Sequence, residues 1–356
     1  MIEKRKEEHI RIAESEDVSA FHNYWDDVSL LHEADPEIDY DDIDTSVTFL
    51  GKKLNFPMII SSMTGGTDLA TRINANLAKA AEKYGLGMGV GSMRAAIVDH
   101  KLAETYSVIN ESRIPFKIAN IGAPQLIPQD GKVISDSDID YVYSLIKADF
   151  LAVHFNFLQE MVQPEGDRRS EKVIDRIRDL SSSYNIIAKE TGAGFSRKTA
   201  IRLIQAGVKA IDVAGLSGTT FAAVEYFRAK KEGNYEKMRI GETFWNWGIP
   251  TPASIIYCNA GIPIIGSGGL RNGLDLARAI SMGASIGGFA RSLLKNADDS
   301  INDLFRNIEM IQKEFRVSMF LTGSKDLEQL RSVKKIYSGD LRPWIEGASN
   351  EGTEGK

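Results

Sequence analysis

Short apolar runs recur along the chain, each ending in glycine or polar residues and each followed by a segment whose apolar positions return every three or four residues. Eight runs stand out: PMIISSM from Pro57, GLGMGVGS from Gly85, FKIANIG from Phe116, DFLAVHFN from Asp149, NIIAKET from Asn185, AIDVAG from Ala210, PIIGSGG from Pro263 and SIGGFAR from Ser285. Strands buried on both faces need such continuous runs rather than alternation. Between them, Asp68–Lys83 places Leu69, Ile73, Leu77 and Ala80 on one helical face, and Leu274–Met282 repeats the pattern. The alternation predicts βα units on a parallel sheet. Eight units at near-regular spacing predict an α/β fold closed into a (β/α)8 TIM barrel rather than an open doubly wound sheet.

Three stretches fall outside the pattern. Residues 1–50 precede the first strand, are charged and aromatic-containing, and are expected to fold over the barrel as an N-terminal extension. Residues 230–250, with Trp245, Trp247 and several glycines, are too long for a simple βα loop and read as a lid or insertion after the sixth strand. Residues 347–356 are polar and glycine-rich and are expected to be a disordered tail.

A chain of 356 residues with 43% hydrophobic content suits one such domain spanning 1–356. The 43 basic and 49 acidic residues give a net charge of −6, which argues against a nucleic-acid partner, so any phosphate site must be local. The single cysteine, Cys258, can form no internal disulfide and leaves no cysteine cluster for zinc or an iron–sulfur centre. No run approaches the roughly 18 apolar residues of a spanning helix, and the charged start has no signal-peptide pattern. The expectation is a cytoplasmic protein with no membrane partner.

Chemistry in a barrel sits at the carboxyl ends of its strands. There the sequence places Thr64, Gly65, Ser92, Arg94, Asn120, His154, Asn156 and Lys189, then Ser217, Thr220, Gly268, Gly269, Ala290 and Arg291. The glycine-rich turns GSGGLRNG and GGFARS would let backbone N–H groups approach a phosphate, aided by a helix amino terminus. Alone, the first would also suit an ordinary turn and helix cap; its match one strand later weakens that reading. Lys189 lies in the apolar run IIAKET and needs either a bound anionic group or a carboxylate such as Glu190. Glu160 clusters in sequence with Gln159, His154 and Asn156, where a carboxylate is either a solvated loop acid or a ligand for Mg²⁺ beside substrate phosphate. Arg5, Lys6 and His9 read as a solvated charged face or as a diphosphate clamp. No G-x-S-x-G elbow is present and Cys258 has a buried, apolar context, so nothing supports a serine or cysteine nucleophile.

Eight motifs in order, RKEEHI at Arg5, SSMTGGT at Ser61, GVGSMRAAI at Gly89, ANIGAPQ at Ala119, HFNFLQEMVQPEGDR at His154, KETGAGFS at Lys189, VAGLSGTTF at Val213 and GSGGLRNGLDLARA at Gly266, carry a family likeness. The chain resembles the type 2, FMN-dependent isopentenyl diphosphate isomerases from residue 5 to about residue 291. The resemblance implies FMN, active when reduced by NADPH or another donor, touching Met63, Thr64, Gly65, Ser92, Asn120, Lys189, Ser217 and Thr220. Gly268, Gly269, Ala290 and Arg291 would cradle its phosphate. Isopentenyl and dimethylallyl diphosphate would meet Arg5, Lys6, Ser92, Met93, Arg94, His154, Asn156 and Gln159, with Mg²⁺ on Glu160. Gln159, Lys189 and His154 are the implied catalytic residues, in a homo-oligomer, a tetramer or octamer. Many members have Gln where this chain has Met93, which puts a side-chain contact there in doubt.

The implied reaction adds a proton to the terminal alkene carbon and removes one from C2, with reduced flavin as acid and base. Rival FMN or nucleotide barrels fit less well. A 2-hydroxy-acid oxidase would want a histidine base after a late strand, yet all five histidines lie at or before the fourth. A dehydrogenase of inosine monophosphate would want a loop cysteine where this chain reads GLSGTTF. A non-catalytic flavin-binding barrel would need none of Lys189, Gln159 and Glu160.

Overall fold

The computed structural model describes residues 2–129, 133–163 and 166–350. Each apolar run forms one strand: Met58–Ile60, Gly87–Gly89, Lys117–Gly122, Phe150–Phe155, Ile186–Glu190, Ala210–Asp212, Ile264–Ser267 and Ile286–Phe289. They pair in chain order in parallel, and the eighth closes on the first through Gly287↔Met58, Gly288↔Ile59 and Phe289↔Ile60.

Side chains alternate across a strand, so every second residue points into the barrel. Ile59, Ile118, Ala152, Ile187, Ala210, Ile265 and Ile286 form one apolar layer inside it. The hairpin formed by Val47–Phe49 and Lys52–Leu54 plugs this layer with Phe49 and Leu54, and Phe49 stacks on Phe116 at 5.8 Å. Two residues further along the strands, on the same inward face, stand Ser61, Asn120, His154, Lys189, Asp212 and Ser267, all buried. The outward residues, among them Ile60, Ile121, Val153, Ala188 and Ile211, pack against the surrounding helices in a second core.

The first predicted helix runs Asp68–Tyr84; the Thr67 side chain accepts from Ala70 N at its start, and Gly85 ends it at φ 65. A side-chain oxygen at the amino cap and a left-handed glycine past the end satisfy groups that the helix leaves open. The second, Gly273–Ser281, is capped by Asn272 in the same way.

Beyond the barrel, the helix Ile2–Ser15 packs against the helices Phe221–Glu232 and Arg291–Asp299. The stretch expected as a lid at 230–250 contains the helix Tyr235–Thr243, which packs on Phe221–Glu232. Trp245 sits among Phe21, Tyr226 and Phe227 and donates Nε1–H to Ser19 O at 2.8 Å. None of 230–250 borders the central cavity; the cover begins earlier, with Phe221 and Val224.

At the carboxyl end, the strand Lys335–Tyr337 pairs antiparallel with Val28–Leu30. The tail expectation needs correcting at its start, because residues 347–350 close the helix Arg342–Asn350. Trp344 and Ile345 dock that helix on the core, a packed face that composition does not reveal. Residues 351–356, the rest of that expectation, lie outside the described residues. Among the described residues no helix is long and apolar enough to cross a membrane.

Candidate functional site

The polar inward layer opens into a cavity of about 690 Å³ at the carboxyl ends of the strands, within the usual size for a cofactor or substrate site. Every residue expected at the site borders it except Met93 and Thr220. Met93 is fully buried at the start of the short helix Arg94–Val98, with its backbone N–H donating to Asn120 O at 2.8 Å. Its side chain does not reach the cavity, so Met93 adds no side-chain contact to the lining. Thr220 turns its N–H to Val18 O at 2.9 Å, and Thr219 borders the cavity in its place.

Lys189 finds its partner across the sheet. Its Nζ lies 2.9 Å from Asp212 Oδ2, in the register that pairs the two residues on neighbouring strands, and the Ser267 hydroxyl donates to Asp212 Oδ1. Asp212 escaped the sequence reading, although a lone acid in AIDVAG was the available signal. Glu190 points elsewhere: its Oε2 accepts from the backbone N–H groups of Thr191 to Gly194, ordering the loop that follows.

The orientation of the Asn120 amide assigns the tautomer of His154. Asn120 donates its Nδ2–H to Val90 O at 3.1 Å, which leaves its Oδ1 as the acceptor facing His154 Nδ1 at 2.8 Å. Nδ1 therefore carries the proton and Nε2 keeps its lone pair. Burial, then the charges of Lys189 and Lys6, push His154 down to about 3, so the ring stays neutral near pH 7.

Past the fourth strand, Asn156 donates to Glu160 Oε1 at 2.8 Å, and Asp167 N donates to Glu160 Oε2 at 2.8 Å. Gln125 Nε2 bridges Glu160 and Asp167, and Arg94 lies 3.3 Å from Asp167. Burial raises the Glu160 carboxyl above its ordinary range, although the hydrogen bonds from Asp167 and Asn156 oppose it. Among the described residues no group of three or more His, Cys, Asp or Glu side chains could enclose a metal. Any Mg²⁺ here needs most of its oxygens from elsewhere, as substrate phosphates and water commonly provide.

Gln159 donates Nε2–H to Glu225 Oε1 at 2.9 Å. Glu225 also lies 2.9 Å from His9 and 2.6 Å from Arg228. Burial alone would raise this carboxyl, but His9, Arg228 and Gln159 outweigh it and hold Glu225 at about 2. The charged amino-terminal helix thus turns His9 inward while Lys4, Glu7 and Arg11 stay exposed. Its Lys6 donates to Ser92 O at 2.8 Å, and burial, reinforced by Arg5, brings the ammonium down to about 7.

The glycine-rich loops also meet at the cavity. Gly268 and Gly269 take φ +106 and +77, and a Cβ at either would strike backbone oxygen of Gly215 or Ser217 at 2.5 Å. Only glycine fits both the conformation and the space. Arg291, expected at a phosphate, uses its guanidinium to hold the amino-terminal segment, donating to Ala13 O, Glu16 O and Ser19 Oγ at 2.8 Å each. Ser61 and Asn156 line the cavity, and Ser61 Oγ and Asn156 Oδ1 are buried without a protein hydrogen bond.

A family model described as FMN-dependent dehydrogenase matches residues 251–335. Among solved structures, a flavocytochrome b2 mutant with pyruvate bound superposes with a TM-score of 0.64 at 15% identity, covering 98% of this chain and 88% of that one. A lactate oxidase from Pediococcus acidilactici gives 0.62 at 14%, covering 93% and 87%. These show the shared barrel. Much nearer in sequence is an isopentenyl-diphosphate delta-isomerase from Thermoplasma acidophilum, 72% identical over 97% of this chain and 99% of the relative. Another from Archaeoglobus fulgidus is 44% identical over 96% and 98%. With identity at this level running the length of both chains, the protein belongs to the isopentenyl-diphosphate delta-isomerase family.

Proposed function

We propose that the cavity interconverts isopentenyl and dimethylallyl diphosphate, with reduced FMN and Mg²⁺ bound beside the substrate. The observation that carries this reading is that one cavity gathers Arg5 and Lys6, Glu160, Gln159, Lys189 and the Gly268–Gly269 loop. The residues fit a flavin phosphate: the left-handed glycines form a cradle that any Cβ would fill, and the helix Arg291–Asp299 begins at the cavity wall. Bound and reduced, FMN supplies an electron-rich ring able to take up and give back a proton.

The chain's own residues do the rest. Lys189, held by Asp212, offers an ammonium to negative charge on that ring. Arg5 and Lys6 supply positive charge for the diphosphate, and Glu160 offers Mg²⁺ one carboxylate. Neutral His154 presents Nε2 as an acceptor. Gln159, its amide oriented by Glu225, positions a proton-bearing group rather than acting as an acid, since an amide has no useful acidity. Protonating the terminal carbon builds positive charge at the alkene, and the apolar side chains of Ile10, Phe221, Val224 and Leu270 on the cavity wall limit the water that could trap it. The reading includes NADPH or another reductant for the flavin, a cytoplasmic location and a tetramer or octamer.

The test is anaerobic: protein, FMN, reductant, Mg²⁺ and isopentenyl diphosphate, with the alkene protons followed by NMR beside an unreduced control. Dimethylallyl signals in the reduced sample alone are the expected result. No conversion despite tight FMN binding would favour a 2-hydroxy-acid oxidoreductase instead.

A further inference from the structure

We propose that Asn23 and Trp25, from the segment ahead of the barrel, are positioning residues that aim the phosphate-binding amides of the Gly268–Gly269 loop. The inference rests on reading that loop as the FMN phosphate cradle.

Two consecutive glycines with positive φ have little intrinsic preference for which way their peptides face. Their carbonyl partners decide it. Trp25 Nε1–H donates to Gly268 O at 2.9 Å, and Asn23 Nδ2–H donates to Gly269 O at 2.9 Å. A trans peptide is planar with its N–H opposite its C=O. With both carbonyls drawn toward residues 23–25, the N–H groups of Gly269 and Leu270 face away from that segment. Both residues border the cavity. The facing loop packs its backbone close to Gly269, where a Cβ at Gly218 would stand 2.6 Å from Gly269 N, so no side chain at 218 covers that amide.

The two donors are themselves fixed. Trp25 is fully buried, and its indole has one N–H to give. Asn23 Oδ1 accepts from Trp25 N at 3.1 Å, capping the short helix Tyr24–Asp27, so its Nδ2 is the atom left for Gly269 O. The neighbouring arginines are already engaged: Arg271 with Asp26 and Asp275, and Arg291 with Ala13, Glu16 and Ser19. Backbone amides are therefore the donors this loop has to offer, and Asn23 and Trp25 set their direction.

Riboflavin lacks the phosphate and is the probe that isolates this role. Full-length protein freed of flavin is titrated with FMN and with riboflavin, following flavin fluorescence, for wild type, Trp25→Phe and Asn23→Ser. Phenylalanine keeps most of the buried ring but loses the donor; serine keeps the cap but cannot reach Gly269 O. Each variant is expected to bind FMN about three- to tenfold more weakly, as for the loss of one hydrogen bond, with riboflavin affinity unchanged. Equal weakening of both ligands, or of neither, would overturn the inference; should Trp25→Phe fail to fold, Asn23→Ser decides alone. Wild type that binds riboflavin as tightly as FMN would instead remove the cradle reading itself.

Discussion

The inside of the barrel has two layers one pleat apart, and they differ in everything except backbone. Ile118 and Asn120, Ala152 and His154, Ile187 and Lys189, Ala210 and Asp212, Ile265 and Ser267 share a strand and a face. The lower member of each pair packs against its neighbours and the Phe49–Leu54 plug. The upper member borders the cavity or holds a residue that does. Parallel pairing satisfies the backbone in both layers, so side chains alone separate floor from rim. The apolar floor stabilises the fold; the rim spends part of that stability on buried polar groups, whose ion pairs seldom add net stability over apolar packing.

Breaking the rim should have the largest effect. Lys189→Met strands a buried Asp212 carboxylate, at a cost of about 3–5 kcal/mol, and should lower turnover about 10²- to 10³-fold. Adding Asp212→Asn should restore most of the stability and none of the activity. Urea unfolding and turnover of both variants check this, and a single variant as stable as wild type would mean that Asp212 does not depend on Lys189.

One pleat down, Ile187→Ala should cost about 2–5 kcal/mol through the cavity it leaves, with turnover per folded molecule unchanged. A matching loss of activity would show the two layers to be less independent than their contacts imply.

His154 sharpens the contrast through pH. Its folded value, about 3, lies below the ordinary 6.5, so between those values the unfolded chain binds the proton and the folded protein does not. Stability on this account is full above 6.5 and falls as pH drops toward 3. The loss should reach about 2 kcal/mol by pH 5. Unfolding at pH 7 and pH 5 should show that component in wild type and not in His154→Asn, whereas no floor substitution should change the slope.

The smallest change lies outside both layers. Glu160→Gln should raise the Mg²⁺ concentration for half-maximal turnover about tenfold with little effect on unfolding. Unaltered metal dependence would remove Glu160 from that role.

Much of this was legible beforehand, for definite reasons. The eight strands were readable because buried parallel strands must be apolar throughout, and the helices because their caps and periodicity are local. Lys189 announced itself as a cation in an apolar run that had to have a partner. That the partner is Asp212 depends on strand register, which periodicity does not report. Met93 and Thr220 sat in the right motifs, yet their directions follow from a short helix and from a bond to Val18. Arg5 and Lys6 left two readings open because a charged helix looks the same in solvent as over a cavity.

By itself, then, the sequence determined the number and order of the strands, the glycine turns at their ends and the chemical character of the rim, since each depends on neighbours a few residues away. Only the tertiary structure decided who meets whom. It set Lys189 on Asp212, Gln159 on Glu225 and Asn23 and Trp25 on a loop more than 200 residues distant. Those pairings arise when the barrel closes and the amino-terminal segment folds across it, and no local preference encodes them.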